Sequence, residues 1–495
     1  MLFEAFKKMR EERPMSAAFL VTSGDLALPI TWCQFTDDID IVVHLIRTYA
    51  PGAKVGILGE NSYEWIVAHA AILFSGAVAI PLDTNLNPQE IAERMKFTGA
   101  VALIHSSLYE DKAREAGKLT PGLIVAGFGT IKTERFLDKL RGAFGLGDSV
   151  WQNDHLDLDE DSTGEPQTSM IVFTSGTTSK PRGAELTVKA LETFCESWVP
   201  ILPMSPGDRS LMLLPLHHIF GICVVYLMLS RGVALGVCPD FRRIYDAFER
   251  FRVNYAFLVP ALAEILAQKI QQKGGSAEKA LGKPIDWILI GGAALPRRTY
   301  EHLTELGIKT ITGYGLTETT ALYSATPLAG DPHIGAQGLV AQLKSVDTKV
   351  SESGELLIRG PCVMKGYYKQ PEKTAEVIDA DGWYHTGDIG SIDADGFVWI
   401  SGRAKRTIIL SSGKKIAPEE LEEKLLQLPG VREVLVSGEG ETREIKAEIY
   451  PSMSEDFVRK AVGELNLTLP VYKRIKTVVV RKEPFPRTSS GKIKV

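Results

Sequence analysis

The sequence lacks the cysteine pattern of a disulfide-bonded or zinc-binding protein. Its 495 residues include five cysteines, an odd number, and they lie far apart with no paired spacing. Disulfide frameworks and zinc sites both depend on recurring, closely spaced cysteines. We therefore expect free thiols and a reducing, cytoplasmic environment.

The chain also lacks a long apolar run. The longest, residues 219–229, has eleven residues, whereas a helix that crosses a bilayer needs about 20. This run predicts a buried helix instead. Residues 1–14 carry charges throughout and have no apolar core of the kind found in a secretory signal.

The first residues leave two interpretations open. Basic side chains alternate there with a stripe of apolar positions. Such a stripe packs on its own domain or contacts a membrane surface peripherally. The apolar positions are Leu2, Phe3, Phe6 and Met9.

Charge of one sign is not in excess. Lys and Arg number 56 and Asp and Glu number 61, which gives a net charge of −5. No basic field of the kind that drives nucleic-acid binding is present. At about 100–200 residues per domain, the length predicts more than one domain. Small-molecule chemistry is the favoured class of function.

What the sequence does contain is an alternation of short apolar segments with helical patterns. Residues 54–82 read as strand, helix and strand, and the pattern returns over 287–312. At 170–173 a strand leads into a polar loop, and a helix is predicted over 187–198. The predicted fold class is α/β, with a buried, largely parallel sheet covered by helices.

The pattern of predicted secondary structure changes after residue 402. A hairpin pattern spans 407–416, and helices are predicted over 418–428 and near 455–465. These features predict a small α+β domain. The predicted division is therefore a large domain over 1–402 and a small domain over 403–495.

The polar segment 173–183, FTSGTTSKPRG, directly follows a predicted strand. Glycine lets backbone N–H groups approach phosphate oxygens, while hydroxyls add donors and a lysine adds charge. The spacing is not that of a Walker A loop. We predict a pyrophosphate-binding loop, with a flexible Ser/Gly surface loop as the alternative. Its predicted ligands are Thr174, Ser175, Gly176, Thr177, Thr178 and Lys180.

A second polar segment, 312–318, has the sequence TGYGLTE. Tyr314 could stack on a purine and Thr317 could touch an α-phosphate. Glu318 could bind Mg²⁺, which commonly takes one or two carboxylates together with phosphate oxygens. The alternative is an ordinary turn between a strand and a loop.

Small residues follow three of the predicted strands, at 173–176, 291–294 and 313–315. Ligands in open α/β sheets bind beyond the carboxyl ends of the strands, so we expect these loops to share one site. The further nucleotide contacts predicted there are Gly291, Gly292, Ala293, Gly313 and Gly315.

Three charged residues in the second half of the chain are further candidates for nucleotide binding and catalysis. Asp388 could accept both ribose hydroxyls, and Arg403 could donate to ribose or phosphate; solvated surface charges are the alternative. Lys492 follows a glycine in a hydroxyl-rich turn. Its ammonium could reach an oxygen that gains charge in a transition state, although terminal lysines are ordinarily solvated.

Four segments, in their order and spacing, resemble the superfamily of acyl-CoA synthetases, adenylation domains and firefly-type luciferases. They are residues 173–183, 312–318, 383–388 with 402–405, and 486–495. The resemblance covers nearly the whole chain. It implies an ATP- and Mg²⁺-dependent, AMP-forming ligase that makes an acyl-adenylate and passes the acyl group to the thiol of coenzyme A. Arg182 and Val188 depart from the family pattern, because members usually have lysine and often histidine there.

The resemblance also implies a mobile C-terminal domain with a hinge at Lys405, a residue of the nucleotide-binding set. One orientation brings Lys492 to the carboxylate and the α-phosphate for adenylation. A rotation then exposes the site to residues 411–413 for thiol transfer.

The family segment that borders the acyl pocket corresponds to residues 214–221, where His218 matches best; a packed core histidine is the alternative. Residues 210–230 contain no acidic side chain. Members that activate amino acids place an aspartate there to pair with the substrate ammonium, so amino acids are disfavoured. The sequences of the motifs are most similar to those of fatty-acyl ligases. This similarity favours a medium or long chain fatty acid as the substrate, with an aryl acid as the second candidate.

Other functions remain open. An acyl carrier protein in place of coenzyme A would leave a nearly identical sequence, and a luciferase-like oxygenase would share every adenylation motif. A non-catalytic AMP-binding regulator would be expected to lose Lys492 or Glu318, and both are present.

Overall fold

The computed structural model describes residues 2–23, 26–49, 52–128, 167–174, 182–238, 243–326, 336–340, 343, 345–410, 414–439, 444–486 and 493. Within them the fold is mixed α/β, as the sequence predicts. The strands are β1 (Ala17–Ser23), β2 (Leu26–Thr31), β3 (Lys54–Leu58), β4 (Val78–Leu82), β5 (Ala102–His105), β6 (Ile124–Gly127), β7 (Thr168–Thr174), β8 (Arg182–Thr187), β9 (Arg209–Met212), β10 (Ala234–Val237), β11 (Tyr255–Leu258), β12 (Trp287–Ile290), β13 (Thr310–Tyr314), β14 (Ser324–Ala325), β15 (Asp347–Val350), β16 (Glu355–Arg359), β17 (Gly366–Tyr367), β18 (Tyr384–Ile392), β19 (Val398–Arg403), β20 (Ile408–Ile409), β21 (Lys415–Ile416), β22 (Val431–Glu439), β23 (Glu444–Pro451) and β24 (Thr477–Val480).

The described helices cover the sheets and lie largely where the helical patterns predict. Short 3₁₀ turns cover Ser107–Tyr109, Thr317–Thr319, Ala404–Arg406 and Val471–Lys473. The helices are α1 (Leu2–Glu12), α2 (Trp32–Tyr49), α3 (Tyr63–Phe74), α4 (Pro88–Thr98), α5 (Glu110–Lys118), α6 (Val188–Trp198), α7 (Ile219–Ser230), α8 (Ile244–Phe251), α9 (Pro260–Lys273), α10 (Ala277–Leu281), α11 (Arg297–Glu305), α12 (Pro371–Ala375), α13 (Pro418–Leu426) and α14 (Glu455–Thr468).

The largest sheet has seven strands in the order β17–β8–β7–β4–β3–β5–β6. The pairs from β7 through β6 are parallel, which confirms the predicted parallel sheet. Between β3 and β4, α3 begins after Ser62, whose side chain accepts a hydrogen bond from the Trp65 N–H. This helix is apolar nearly all round, and so it is buried in the core.

The structure differs from the prediction between the polar loop and α6. Strand β8 intervenes, and it pairs antiparallel with β7 so that Thr174 lies opposite Arg182. Residues 175–181 therefore connect two neighbouring antiparallel strands. The helix then begins at Val188, capped by the Thr187 side chain, which accepts from the Ala190 N–H at 3.0 Å. The sequence missed β8 because its segment, RGAELT, has weak β propensity, and strand formation depends on its neighbours β7 and β17.

Strands β12 and β13 belong to another sheet. Its order is β11–β12–β13–β14, and the first three strands are parallel. Two further sheets have the orders β2–β1–β10–β9 and β15–β16–β18–β19. In the last of these, β18 and β19 form an antiparallel hairpin whose connection contains Asp395-Gly396.

Toward the C-terminus, β20 pairs with β21 and confirms the predicted hairpin. Strands β22, β23 and β24 form a three-stranded sheet. Apolar residues of this sheet, α13 and α14 share one buried cluster, separate from the other cores. The division at residues 402 and 403 remains a prediction.

The N-terminal stripe packs on its own domain. Leu2, Phe6 and Met9 are buried, whereas Phe3 is 45% exposed. The Phe3 ring still meets Phe74 edge to face, with 5.6 Å between the ring centroids. The packing interpretation is thus confirmed, and the membrane-anchor interpretation is wrong for the three buried positions. In the part of the chain that the structure describes, no helix has both the length and the apolar character needed to cross a bilayer.

Candidate functional site

Three of the predicted site residues meet: Tyr314 at the end of β13, Asp388 within β18 and Arg403 at the end of β19. Asp388 on β18 lies opposite Arg403 on β19, and the Arg403 Nε donates to Asp388 Oδ1 at 2.9 Å. The Tyr314 hydroxyl, at the end of β13, donates to Asp388 Oδ2. The Asp388 side chain is buried, while Arg403 is half exposed. The predicted purine-stacking and ribose-binding side chains are therefore joined by direct hydrogen bonds across two sheets.

The protonation state of Tyr314 follows from this environment. Burial raises the pKa of its hydroxyl well above the ordinary value, and the negative charge of Asp388 raises it further. Tyr314 therefore stays neutral and keeps donating to Asp388 at physiological pH.

Glu318 lies in the 3₁₀ turn that follows β13, and residues within 362–367 form hydrogen bonds with this turn. The Tyr367 hydroxyl donates to Glu318 Oε1 at 2.8 Å. The Glu318 carbonyl oxygen accepts from the Met364 N–H at 2.8 Å. The Thr320 hydroxyl donates to the Cys362 carbonyl oxygen, also at 2.8 Å. The carboxylate and the backbone of Glu318 are thus both held by one neighbouring segment.

Arg182 lies behind Tyr367. Its guanidinium carbon is 5.5 Å from the centroid of the Tyr367 ring. Burial raises the pKa of the Tyr367 hydroxyl, and the Glu318 carboxylate adds to the shift. Tyr367 is therefore a neutral donor to Glu318. Sequence reasoning identified Arg182 as a departure from the family pattern but did not find Tyr367.

The surroundings of Glu318 fit a magnesium ion that is held mainly by a nucleotide. Within the described residues, no group of three or more His, Cys, Asp or Glu side chains is arranged to hold a metal. Mg²⁺ needs no such cage, because it is commonly bound by one or two carboxylates and substrate phosphates. Among the described residues, no lysine or arginine forms an ion pair with Glu318.

The glycines on either side of Tyr314 lie in closely packed surroundings, and the packing is tightest at Gly315. A Cβ built on Gly315 would lie 2.2 Å from the carbonyl carbon of Ala321. Thr320 and Ala321 both have left-handed backbone conformations, with φ of 52° and 58°, which folds the chain back over Gly315. A Cβ on Gly313 would lie 3.2 Å from the Trp198 ring.

The loop after β12 faces the start of α7. A Cβ on Gly291 would lie 3.0 Å from the Phe220 ring. Gly292 has a φ of +81°, a conformation that favours glycine, and Ala293 is exposed. Gly291 thus lets the backbone approach an aromatic residue two positions after His218.

His218 is half-buried and lies directly before α7. The preceding segment is fixed by Asn61, whose Nδ2 donates to the carbonyl oxygens of Met212 at 3.2 Å and Leu214 at 2.9 Å. The Asn61 Oδ1 accepts from the Leu216 N–H at 3.2 Å. Asn61 therefore positions the segment that carries His218.

The adjacent His217 lies beside the carboxylate of Asp83, which the sequence did not reveal as a neighbour of this segment. Its Nε2 lies 3.7 Å from Asp83 Oδ1, and its ring is 4.3 Å from the His218 ring. Burial lowers the pKa of His217, and Asp83 opposes that shift. Asp83 follows β4, far from residues 210–230 in sequence, so a search of that window alone could not find it.

The three loops that were expected to share one site follow strands of two different sheets. Thr174 ends β7 of the seven-stranded sheet, whereas Gly291 and Tyr314 follow β12 and β13. Tyr367 connects them, because it pairs with β8 and also binds Glu318.

Lys405 is exposed in the turn Ala404–Arg406, and Thr317 begins the turn that carries Glu318. The predicted residues outside the described ranges are Ser175, Gly176, Thr177, Thr178, Lys180 and Lys492, together with 411–413.

Comparison with known families gives two matches that together span most of the chain. The family model described as AMP-binding enzyme matches residues 10–368. The model described as AMP-binding enzyme C-terminal domain matches residues 405–494.

Curated relatives include three acid–coenzyme A ligases. 4-Coumarate–CoA ligase 2 of Oryza sativa subsp. japonica is 32% identical over 475 residues, which are 89% of this chain and 82% of that protein. Feruloyl-CoA synthase of Amycolatopsis sp is 28% identical, with 98% and 96% covered. Long-chain-fatty-acid–CoA ligase FadD13 of Mycobacterium tuberculosis is 27% identical, with 90% and 87% covered.

Similar solved structures show the same fold. O-Succinylbenzoate coenzyme A synthetase of Bacillus subtilis, in complex with ATP and a magnesium ion, has a TM-score of 0.82 at 23% identity, with 99% of this chain and 98% of that chain covered. ATP-bound MatB of Rhodopseudomonas palustris has a TM-score of 0.80 at 24% identity, with 99% and 97% covered.

Proposed function

This chain belongs to the AMP-binding enzyme family, and from that premise we propose that it activates a carboxylic acid as an acyl-adenylate and transfers the acyl group to coenzyme A. One observation carries the proposal. Tyr314 and Glu318, four residues apart, reach Asp388 on one side and Tyr367 on the other. Hydrogen bonds thus connect the predicted nucleoside contacts on one side of this segment and the predicted metal ligand on the other with neighbouring strands.

In the first half-reaction, a carboxylate oxygen of the acid attacks the α-phosphorus of ATP, and the bond to pyrophosphate breaks. The protein forms no covalent bond, so positioning and charge must supply the acceleration. We assign the purine ring to Tyr314 and the ribose hydroxyls to Asp388. The Asp388 carboxylate is oriented by Tyr314 and Arg403, which donate to its two oxygens.

The phosphates are assigned to residues 174–180, Thr317 and Lys492. Glu318 would hold Mg²⁺, which when bound would supply positive charge against the phosphates. Thr317 begins the turn that holds Glu318, so a phosphate contact there would lie beside the carboxylate.

In the second half-reaction, the thiol of coenzyme A loses its proton to the solvent and its sulfur attacks the acyl carbonyl carbon. The bond from that carbon to the phosphate oxygen breaks, and AMP leaves. We assign this step to a second orientation of residues 403–495 about Lys405, in which 411–413 replace Lys492 at the carbonyl. An acyl carrier protein could supply the same thiol.

For the acid, we propose a medium or long chain fatty acid. Helix α7 after His218 is apolar and almost wholly buried, and Phe220 packs against Gly291. The relative FadD13 is named for long-chain fatty acids. The second candidate is an aryl acid of the hydroxycinnamate type, which the 32% identity to a 4-coumarate ligase favours.

The test is pyrophosphate–ATP exchange with fatty, aryl and amino acids, since exchange reports adenylation without the thiol. We expect exchange with one class of apolar acid, and we expect the Lys492→Ala variant to lose most of it because the ammonium beside the reacting oxygens is removed. Amino acids should give no exchange. We expect this even though the Asp83 carboxylate lies beside His217, whose ring packs against that of His218.

The thiol acceptor is then tested separately, by supplying coenzyme A or an acyl carrier protein to the enzyme with its preferred acid. Absence of exchange with every acid, in protein that binds ATP, would refute the ligase proposal and favour the nucleotide-binding regulator.

A further inference from the structure

We propose that Tyr367 is a positioning residue for Glu318, and that Arg182 supports it, so that the end of the phosphate-binding loop and the metal-binding carboxylate are held by one structural unit. This inference rests on the proposed function, since it assumes that Glu318 binds Mg²⁺ together with ATP.

The hydrogen bond from Tyr367 selects one oxygen of Glu318. The hydroxyl donates to Oε1 at 2.8 Å, and no described group donates to Oε2. A carboxylate fixed in this way presents its other oxygen in a defined direction. Groups of this kind orient metal ligands, and their loss typically lowers metal affinity by about 10- to 100-fold.

The Tyr367 side chain is itself fixed on both sides. Its backbone lies on β17, where Tyr367 pairs with Ala184 of β8. Arg182 begins β8 and places its guanidinium over the Tyr367 ring. A planar guanidinium can stack on an aromatic ring in a way that a lysine ammonium cannot. The substitution of arginine for the family's lysine therefore has a structural partner in this chain.

The same arrangement connects two features that the sequence treats separately. Arg182 is the first described residue after 175–181, and it lies near the end of the predicted phosphate-binding loop, 173–183. Tyr367 contacts Glu318, which lies on a turn from another sheet. Arg182 and Tyr367 therefore join the end of the loop to the Glu318 carboxylate through direct contacts.

The test is the binding of ATP to the full chain, without acid, in Mg²⁺ and in EDTA, by isothermal titration calorimetry. The ratio of the two affinities is the contribution of Mg²⁺. We expect Tyr367→Phe to lower this ratio by roughly tenfold and to leave the affinity in EDTA nearly unchanged, because the variant removes only the oxygen that orients Glu318.

The matched control is Tyr368→Phe. The Tyr368 hydroxyl donates to the Thr98 carbonyl oxygen at 3.1 Å, away from Glu318. This variant loses the same atom from the adjacent residue and should keep the Mg²⁺ contribution of the wild type. In a Glu318→Ala background, Tyr367→Phe should have no further effect on that contribution.

The outcomes separate the two proposals. If ATP binds the wild type equally well in Mg²⁺ and in EDTA, the assignment of Glu318 and the role of Tyr367 both fail. If the wild type shows a Mg²⁺ contribution that Tyr367→Phe retains, or that Tyr368→Phe lowers equally, only the role of Tyr367 is overturned.

Discussion

At the scale of single residues, His69 is a base held neutral in the core. It is fully buried on α3, its Nδ1 lies 2.9 Å from the Tyr226 hydroxyl, and its ring stacks on Trp65 with 5.0 Å between centroids. Its Nε2 has no partner among the described residues. Burial lowers the pKa of His69 to about 3, so the folded protein resists adding a proton there.

This pKa predicts sensitivity to acid. Below the ordinary histidine pKa of about 6.5 the unfolded chain binds the proton and the folded chain does not, so stability falls as the pH drops toward 3. We expect the free energy of unfolding to lose about 2 kcal/mol through His69 between pH 7.5 and pH 5. Asparagine at this position can still contact Tyr226 but does not titrate.

The measurement is urea unfolding of wild type and His69→Asn at both pH values. The variant should be less stable at pH 7.5, because a stacked ring is lost, yet it should lose less stability on acidification. Equal losses in the two proteins would show that His69 does not cause the acid sensitivity.

The contrast between Asp388 and Tyr367 shows which site residues a sequence can reveal. Tyr314, Asp388 and Arg403 stood in polar, glycine-containing segments, and the structure joins them directly. Tyr367 lies in a strand of two residues, which is too short to show an alternating pattern. Its role depends on a hydroxyl reaching a residue 49 positions away, and no local signal encodes that contact.

At the scale of elements, the turn after β13 depends on the absence of a side chain at Gly315. Gly315→Ala would force a Cβ to within 2.2 Å of backbone atoms that cannot rotate away. We expect a loss of about 1–3 kcal/mol in the free energy of unfolding, as for other overpacked sites. ATP affinity should fall as well, because Tyr314 and Glu318 flank the displaced backbone.

Gly463→Ala is the matched control. Gly463 lies within α14, and a Cβ there meets nothing within 4 Å. Alanine is a better helix former than glycine by about 1 kcal/mol, so this variant should be slightly stabilised and should bind ATP as the wild type does. Equal stability of the two variants would contradict the packing argument at Gly315.

Element patterns in the sequence identified the parallel strands and most of the helices, because apolar periodicity reports burial directly. Strand β8 was missed, since its formation depends on pairing with β7 and β17. The expectation that the three small-residue loops share one site did not include the finding that their strands belong to two sheets. Strands β7 and β13 lie in different sheets, and the sheet in which a strand pairs is decided by tertiary packing.

At the scale of the whole molecule, α13 contacts the end of β19 across the predicted hinge. A Cβ on Gly402 would lie 2.3 Å from Glu419 Oε2, so glycine permits this close approach. The Glu419 Oε1 accepts from Arg406 at 2.8 Å, and burial raises the pKa of Glu419. A rotation about Lys405 would have to separate Glu419 from Gly402, so the arrangement described here is one state of the proposed cycle.

Lys405→Pro tests whether the two half-reactions require that rotation. Proline fixes φ near −65°, whereas a hinge must absorb a large change in φ and ψ. We therefore expect the rate of one half-reaction to fall by roughly tenfold or more while the rate of the other changes little, because only one orientation stays accessible.

Adenylation is measured by pyrophosphate exchange, and transfer by thioester formation from acyl-adenylate supplied ready-made. Lys405→Ala removes the same side chain but leaves the backbone free, so the difference between the variants isolates the rotation. If the proline variant performs both half-reactions at the rates of the alanine variant, the chain completes its cycle without a hinge at this residue.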